Sequence, residues 1–442
     1  MKKILALLFL SFNIKFAYAN NVIEITQGKN DPLPIAVNHF KIISPESKKL
    51  TKRITDVIKQ DLNWSNTFRT ISPSAFIEQK TGVNHQPVFA AWQQINSVLL
   101  LNAVVIENSK GRMKINFVLW DTILEKELTK QKVEFSVLNW RKAAHQISNI
   151  VYKTVTGRAG FFNTQITYVA ESGPFLKRKR RIAIMDYDGH NHRYLTDGSD
   201  LVLTPRFSPD ATQILYLSYK NETPQVLVMD IASKQSRVLG RFPGMSFSPR
   251  FSPDGKYAIM SISRNGNTHI YEMHLRSRKI RQLTKGKHIN TSPSYSPDGS
   301  KIVFNSDRNG ARQLFTMSRN GGSLQRISYG GGAYAEPTWS KENFIAFTKM
   351  SRSVGFSIGL MRPKLAKTQD SERIISNGYL VEAPAWSGNG EMIVFARGIR
   401  PSKNQKKGLS RLYAIGFSGY NERIIPTPED ASYPDWSRAE GY

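Results

Sequence analysis

Two hydrophobic periods share this chain, and each predicts its own kind of element. From Pro34 to Ile43 the pattern reads as a strand. Ser44-Pro45-Glu46 then offers a serine N-cap with proline in the first turn of a helix. Leu50, Ile54, Val57, Ile58 and Leu62 recur at the helical period and predict one buried face. Strands are expected at Val98–Glu107, Met113–Asp121 and Leu128–Val137. A second amphipathic helix is expected over Trp140–Thr156, with Trp140, Ala144, Ile147 and Val151 inward and Gly157 as its stop. Residues 34–160 are therefore expected to form a small α+β domain. Residues 20–33, with Gly28, Asn30, Asp31 and Pro32, show no partner strand and read as a flexible arm.

Beyond Phe161 the pattern becomes that of short strands with a repeat. Pro-x-aromatic-Ser occurs at Pro205–Ser208, Pro249–Ser252, Pro293–Ser296, Pro337–Ser340, Pro384–Ser387 and Pro434–Ser437, at intervals of 44, 44, 44, 47 and 50 residues. Four short strands per period of that length are propeller blades. In the third unit, Pro297-Asp298-Gly299 is expected to place Asp and Gly at positive φ in a tight hairpin. The motif aromatic should pack between blades, and the serine should satisfy a backbone group at the turn. Only Arg438–Tyr442 follow the last motif, while three strands before the first one (Gln165–Ala170, Arg181–Met185, His192–Thr196) lack a leader. The strand ending at Ser437 should join them and seal the ring, which removes open sheet edges. The fold expected is a small α+β N-terminal domain followed by an all-β six-bladed β-propeller of WD40-like repeats over residues 161–442.

The first 19 residues change where this architecture is placed. Lys2 and Lys3, an apolar run from Ile4 to Phe12 and Ala17-Tyr18-Ala19 follow the order of a cleaved signal peptide. The mature chain is then expected to start at Asn20 in the periplasm, and no later stretch is apolar and long enough to span a membrane. The absence of cysteine excludes disulfides, thiolate metal sites and a cysteine nucleophile. A net charge of +28 suggests nucleic acid first. Export and the lack of any nucleic-acid-binding motif turn that expectation toward acidic proteins or anionic envelope surfaces. The sharpest basic feature is Lys177, Arg178, Lys179, Arg180 and Arg181. Arg397, Arg400, Lys403, Lys406, Lys407 and Arg411 occupy the equivalent connection of the adjacent blade, so one basic patch is expected on that face.

Catalytic signals are few. Gly355-Phe356-Ser357-Ile358-Gly359 matches a nucleophile elbow, but that fold needs a later histidine, and the last one is His288. Asp186-Tyr187-Asp188-Gly189, flanked by His190 and His192, reads as a hairpin turn ahead of a calcium loop, which needs six or more oxygens. The connections before the motifs, such as Leu-Val-Leu-Thr and Ile-Asn-Thr-Ser, are too apolar and short of bases for catalysis. No enzyme, cofactor or metal is expected. A peptidoglycan or other glycan binder is the second reading, with Phe247, Tyr334, Tyr379 and Tyr433 as mouth aromatics.

Phe251-Ser252-Pro253-Asp254-Gly255, Tyr295-Ser296-Pro297-Asp298-Gly299, Ala385-Trp386-Ser387, the 186–189 turn and the arm entering Pro34-Ile35-Ala36-Val37 together resemble the TolB family of the Tol–Pal system. That resemblance covers the whole chain. It implies a periplasmic adaptor binding the lipoprotein Pal at the propeller mouth, here Thr204, Met245, Ser248, Thr291, Ser292, Glu336 and Glu382. It also implies that the arm, Asn20, Asn21, Val22, Ile23, Glu24, Ile25 and Thr26, engages TolA. Support of outer-membrane integrity and of constriction at division follows from the same resemblance, with peptidoglycan or other outer-membrane proteins as further partners. Two departures stand out. The fourth motif continues as Ser340-Lys341-Glu342-Asn343, and residues 241–247 contain no histidine.

Overall fold

The computed structural model describes residues 31–42, 48–78, 82–107, 112–174, 177–220, 223–242, 246–365, 372–400 and 409–438. The chain divides into two units, Met1–Asp31 and Pro32–Tyr442. The signal segment and arm residues 20–26 lie outside the described residues, as does the expected helix start at Ser44-Pro45-Glu46.

Helices α1 (Lys48–Trp64), α2 (Phe89–Gln94) and α3 (Trp140–Thr156) belong to the N-terminal part. Its sheet has the order Phe68–Thr70, Leu33–Val37, Leu99–Glu107, Arg112–Asp121, Lys126–Ser136. Ile54, Val57, Ile58 and Leu62 of α1 meet Ala144, Ile147 and Val151 of α3 in one buried core, while Leu50 and Trp140 are half-buried at its border. Gly157 ends α3 at φ 70°, its N–H returning to the Lys153 carbonyl, the left-handed cap that glycine adopts without Cβ strain.

The strand expected over Pro34–Ile43 is two strands, Leu33–Val37 and Lys41–Ile42. Buried Asn38 separates them: its amide donates to Asn102 (3.1 Å) and its carbonyl oxygen accepts the His39 N–H (2.8 Å). Leu33 is no part of a free arm, because it pairs in parallel with Phe68. The three-residue strand Phe68–Thr70 and the six-residue α2 are absent from the sequence reading, being too short for either period to register.

Residues 165–436 form six four-stranded antiparallel sheets. Five are continuous in sequence; the sixth has the order Asp430–Trp436, Gln165–Ser172, Lys179–Asp186, Arg193–Tyr194. The chain's last strand thus leads its first three, with Asp430 opposite Glu171 and Trp436 opposite Ile166. The motif serines do the same work in every blade. Each hydroxyl accepts the backbone N–H that closes its hairpin: Gln213, Tyr257, Lys301, Phe344, Met392 and, across the chain ends, Gln165. The aromatics pack on the preceding blade, Tyr295 against Ile259 and Ile270, and Trp386 against Ile358 and Leu360.

The hairpin chemistry differs from expectation in one respect. Only one turn residue is left-handed in each: Ala211, Gly255 and Gly299 after an aspartate, Asn343 after Glu342 and Gly390 after Asn389. Asp298 instead uses its carboxylate, accepting the Ser296 hydroxyl (2.5 Å) and the Ser300 N–H (3.1 Å). Asn343 takes the left-handed position at φ 59°, so the fourth turn forms without Pro-Asp-Gly.

Trp436 concentrates the closure. It is 5 % exposed, its indole N–H donates to Thr164 (2.7 Å), and its ring meets Phe161 edge-on at 5.9 Å. Trp436→Ala should cost about 3–5 kcal/mol of stability. Chemical denaturation of the full chain checks this, and a loss under about 0.5 kcal/mol, the size of a neutral surface change, would contradict it.

Candidate functional site

The inner strand of each blade starts at the end where successive blades connect: Leu201, Ser246, Asn290, Ala333, Leu380 and Asp430. Its pairing register shifts immediately before the motif proline in all six blades. The residue at that shift is never glycine, yet it is left-handed: Thr204 (φ 48°), Ser248 (47°), Ser292 (55°), Glu336 (51°), Ala383 (56°) and Tyr433 (50°). Left-handed backbone costs a non-glycine residue about 1–2 kcal/mol, and a bulge re-aims the side chains on either side of it. Glu336 shows what is gained: its carboxylate accepts the Ala383 N–H of the next blade (2.7 Å) and the Thr348 hydroxyl (2.9 Å).

Four of the seven expected mouth residues, Thr204, Ser248, Ser292 and Glu336, occupy this ring, and Thr291 and Glu382 sit one residue before it. Met245 lies outside the described residues. Ala383 and Tyr433 complete the ring; Tyr433 is expected at the mouth as an aromatic, whereas Ala383 escapes the sequence reading although its place before a motif proline was visible. Of the aromatics expected at the mouth, Tyr334 is fully buried, its hydroxyl donating to Glu372 (2.6 Å), whereas Tyr379 is 52 % exposed.

Charge is layered near the ring. Burial, with Glu336 and Glu171 nearby, pushes the Glu382 carboxyl up to about 7. Glu171 accepts the Ser432 hydroxyl (2.6 Å) and pairs with Arg178 (3.2 Å) and Arg180 (3.5 Å). The basic run therefore divides. Arg178 reaches Asp430 as well as Glu171, and Arg181 holds Glu429 (2.6 Å) while lying over the Tyr194 ring at 3.7 Å. Lys177 and Lys179 are exposed. Arg411 of the adjacent blade shares Asp430 with Arg178, and Arg397 pairs with Glu422 (2.7 Å). The two basic connections meet, but acidic side chains on the same face counter most of their arginines. Lys403, Lys406 and Lys407 lie outside the described residues.

The opposite end of the channel faces the α+β domain. There the 186–189 turn is a plug between domains. The Tyr187 hydroxyl donates to Asp61 of α1 (2.6 Å), Arg141 of α3 pairs with Asp188, and Arg423 donates to the Trp64 carbonyl (2.7 Å). His145 Nδ1–H donates to the second Asp61 oxygen (2.9 Å). Asp61, His145 and Asp188 form the one three-residue grouping with metal-ligand spacing among the described residues. Arg141 already neutralises Asp188, and Tyr187 and His145 each occupy an Asp61 oxygen, so the donor set fits a closed polar network better than a metal. Ser357 lies buried inside the strand Gly355–Met361, not at a strand-to-helix elbow.

Comparison with known proteins follows this geometry closely. A family model for the TolB beta propeller domain matches residues 152–440, and one for the TolB amino-terminal domain matches residues 21–128. The Tol-Pal system protein TolB of Rickettsia bellii (strain OSU 85-389) is 52% identical over 442 residues, covering 99% of each chain. The protein of that name from Rickettsia conorii (strain ATCC VR-613 / Malish 7) is 51% identical over 427 residues, covering 95% of this chain and 96% of its own. The crystal structure of TolB from Acinetobacter baumannii superposes with a TM-score of 0.80 at 24% identity, over 92% of this chain and 97% of that one. That last likeness shows the fold.

The domain plug titrates. Burial opposes the His145 imidazolium, but the charge and hydrogen bond of Asp61, aided by Asp188 against Arg141, raise its pKa above 6.5. A raised folded pKa stabilises fully below the unfolded value of 6.5 and loses that contribution as pH rises through the folded value. Asp186 and Tyr187 also face the network, and burial raises both. The His145-dependent part of stability should therefore fall on going from pH 6 to pH 8, on the order of 1 kcal/mol. Unfolding curves of wild type and His145→Gln check it: parallel pH profiles would contradict the assignment.

Proposed function

This chain belongs to the TolB family of Tol–Pal system proteins, and from that premise we propose that it is a non-enzymatic periplasmic adaptor. It holds the lipoprotein Pal over the mouth of the propeller channel and engages TolA through residues 20–26. In this role it supports outer-membrane integrity and constriction at division. Export by a cleaved signal peptide at residues 1–19 belongs to the same reading. No helix among the described residues is long and apolar enough to cross a membrane.

The observation that carries the Pal assignment is the apolar rim at the free end of the channel. Leu201, Ile289, Tyr329, Val354, Tyr379 and Ile399 each expose 40–55 % of their surface there, at strand ends or on connections within or between blades. A rim of exposed apolar side chains around a polar funnel is the composition of a protein-binding site. The hinge-free ring beneath it offers a preformed surface, which lowers the ordering cost of binding. A glycan site would ask for several exposed aromatic faces. With Tyr334 buried, Tyr379 is the one exposed member of that set among the described residues. The exposed Lys177 and Lys179 could add salt-sensitive attraction to an acidic partner surface.

Leu201→Asp together with Tyr379→Asp should weaken binding of purified Pal at least tenfold, the cost of desolvating charge at an apolar contact, with the unfolding midpoint unchanged. Wild-type affinity in calorimetry would sink the rim assignment. A chain starting at Asn30 should lose TolA capture in a pull-down yet keep Pal binding, and retained TolA capture would sink the arm assignment.

A further inference from the structure

The second position of the six motifs builds a separate feature at the α+β-domain end of the channel. It is occupied by Arg206, Arg250, Ser294, Thr338, Ala385 and Asp435. All but Ala385 line a cavity of 340 Å³, together with Arg438, Lys341 and five of the six motif serines. About ten waters would fill that volume in the liquid.

The cations there outnumber the anions: Asp435 is the one acidic side chain in that lining, against Arg206, Arg250, Lys341 and Arg438. Arg206 is 5 % exposed, and one of its terminal nitrogens donates to the carbonyls of Pro205 (3.0 Å) and Pro434 (2.9 Å). Its Nε is buried without an acceptor, 4.0 Å from Asp435. Asp435 accepts the Phe207 N–H through its other oxygen (2.8 Å) and faces both Arg206 and Arg250 with a single charge. Arg250, from the next blade, has a buried Nε with no acceptor and no ion pair among the described residues. Burial, with Arg206 beside it and against the attraction of Asp435 and Glu336, pushes Arg250 down to about 9, which still leaves it protonated at neutral pH. Buried charge without a partner is costly in a folded protein. A guanidinium fork with free donors matches the oxygens of a small oxyanion.

We propose that this end of the channel is an oxyanion site, in which Arg206 and Arg250 hold a phosphate- or carboxylate-sized anion against the hydroxyls of Ser294 and Thr338. The anion bridges the inner strands of successive blades around the ring. It supplies counter-charge beyond the single carboxylate of Asp435, and adds a tie between inner strands that already touch side by side. The site is independent of the Pal reading, because it lies at the other end of the channel and its assay contains no partner.

The test is thermal unfolding of the full chain in phosphate-free buffer, titrated with inorganic phosphate at constant ionic strength and, in a second arm, with acetate. Wild type should show a saturable rise in Tm. Arg250→Met, which removes an uncompensated charge and should fold at least as well without added anion, should need about tenfold more anion for the same rise. Arg250→Lys, which keeps charge but loses the fork, should fall between them. A response to phosphate alone identifies a phosphate-class ligand, and one to acetate as well identifies a general carboxylate-sized site. No saturable rise with either anion, or equal curves for wild type and Arg250→Met, would overturn the proposal.

Discussion

One strand pairing holds this architecture together: Asp430–Trp436 against Gln165–Ser172. It joins segments far apart in the chain, the Ser437 hydroxyl accepting the Gln165 N–H across a separation of 272 residues. Closing a loop of that length costs about 5 kcal/mol in chain entropy. The strand ladder and the burial of Trp436 offset it. Once the ring is closed, no blade can tilt without moving its neighbours. Six non-glycine residues can then be kept left-handed around the channel, a strain that an open sheet would relax by letting its edge strands shift.

The closing blade is also the one on which the α+β domain rests. Phe161, Phe162, Tyr187 and Trp436 belong to the same core as Ile54, Ile58, Ile147 and Val151 of the two helices. Closure and docking are therefore not independent. Disturbing the 186–189 turn disturbs the blade that seals the ring, and the Asp61–His145–Tyr187 network links that turn to α1 and α3. The arrangement leaves the two ends of the channel with different characters. One is free, rimmed with apolar side chains and backed by carboxylates. The other faces the α+β domain and is lined by arginines.

Much of this was legible in the sequence because the repeat is short and chemically explicit. The Pro-x-aromatic-Ser motif, counted from both ends, sufficed for the blade number and the closing strand, and the helical faces of α1 and α3 followed from spacing. What escaped has a common cause. The 186–189 turn looked like any hairpin, since its partners Asp61 and Arg141 are far away in the chain. The arginines at 178, 180 and 181 looked like free charge, since Glu171, Glu429 and Asp430 that pair with them come from other strands. Ala383 escaped because its role lies in backbone conformation and not in side-chain type. Leu33 reads as part of the arm because its partner Phe68 lies in a three-residue strand too short for periodicity to detect. Long-range pairing, in each case, is what composition and local pattern do not encode.

Binding of Pal at the free end of the ring is tested most directly by hydrogen–deuterium exchange of the full chain with and without Pal. Protection confined to the connections around residues 196–201, 282–290, 326–333 and 378–382, with the hairpin turns of the other end unchanged, is the predicted result. Protection centred on α1, α3 or the Ser-Pro-Asp-Gly turns, with the inter-blade connections unchanged, would contradict it.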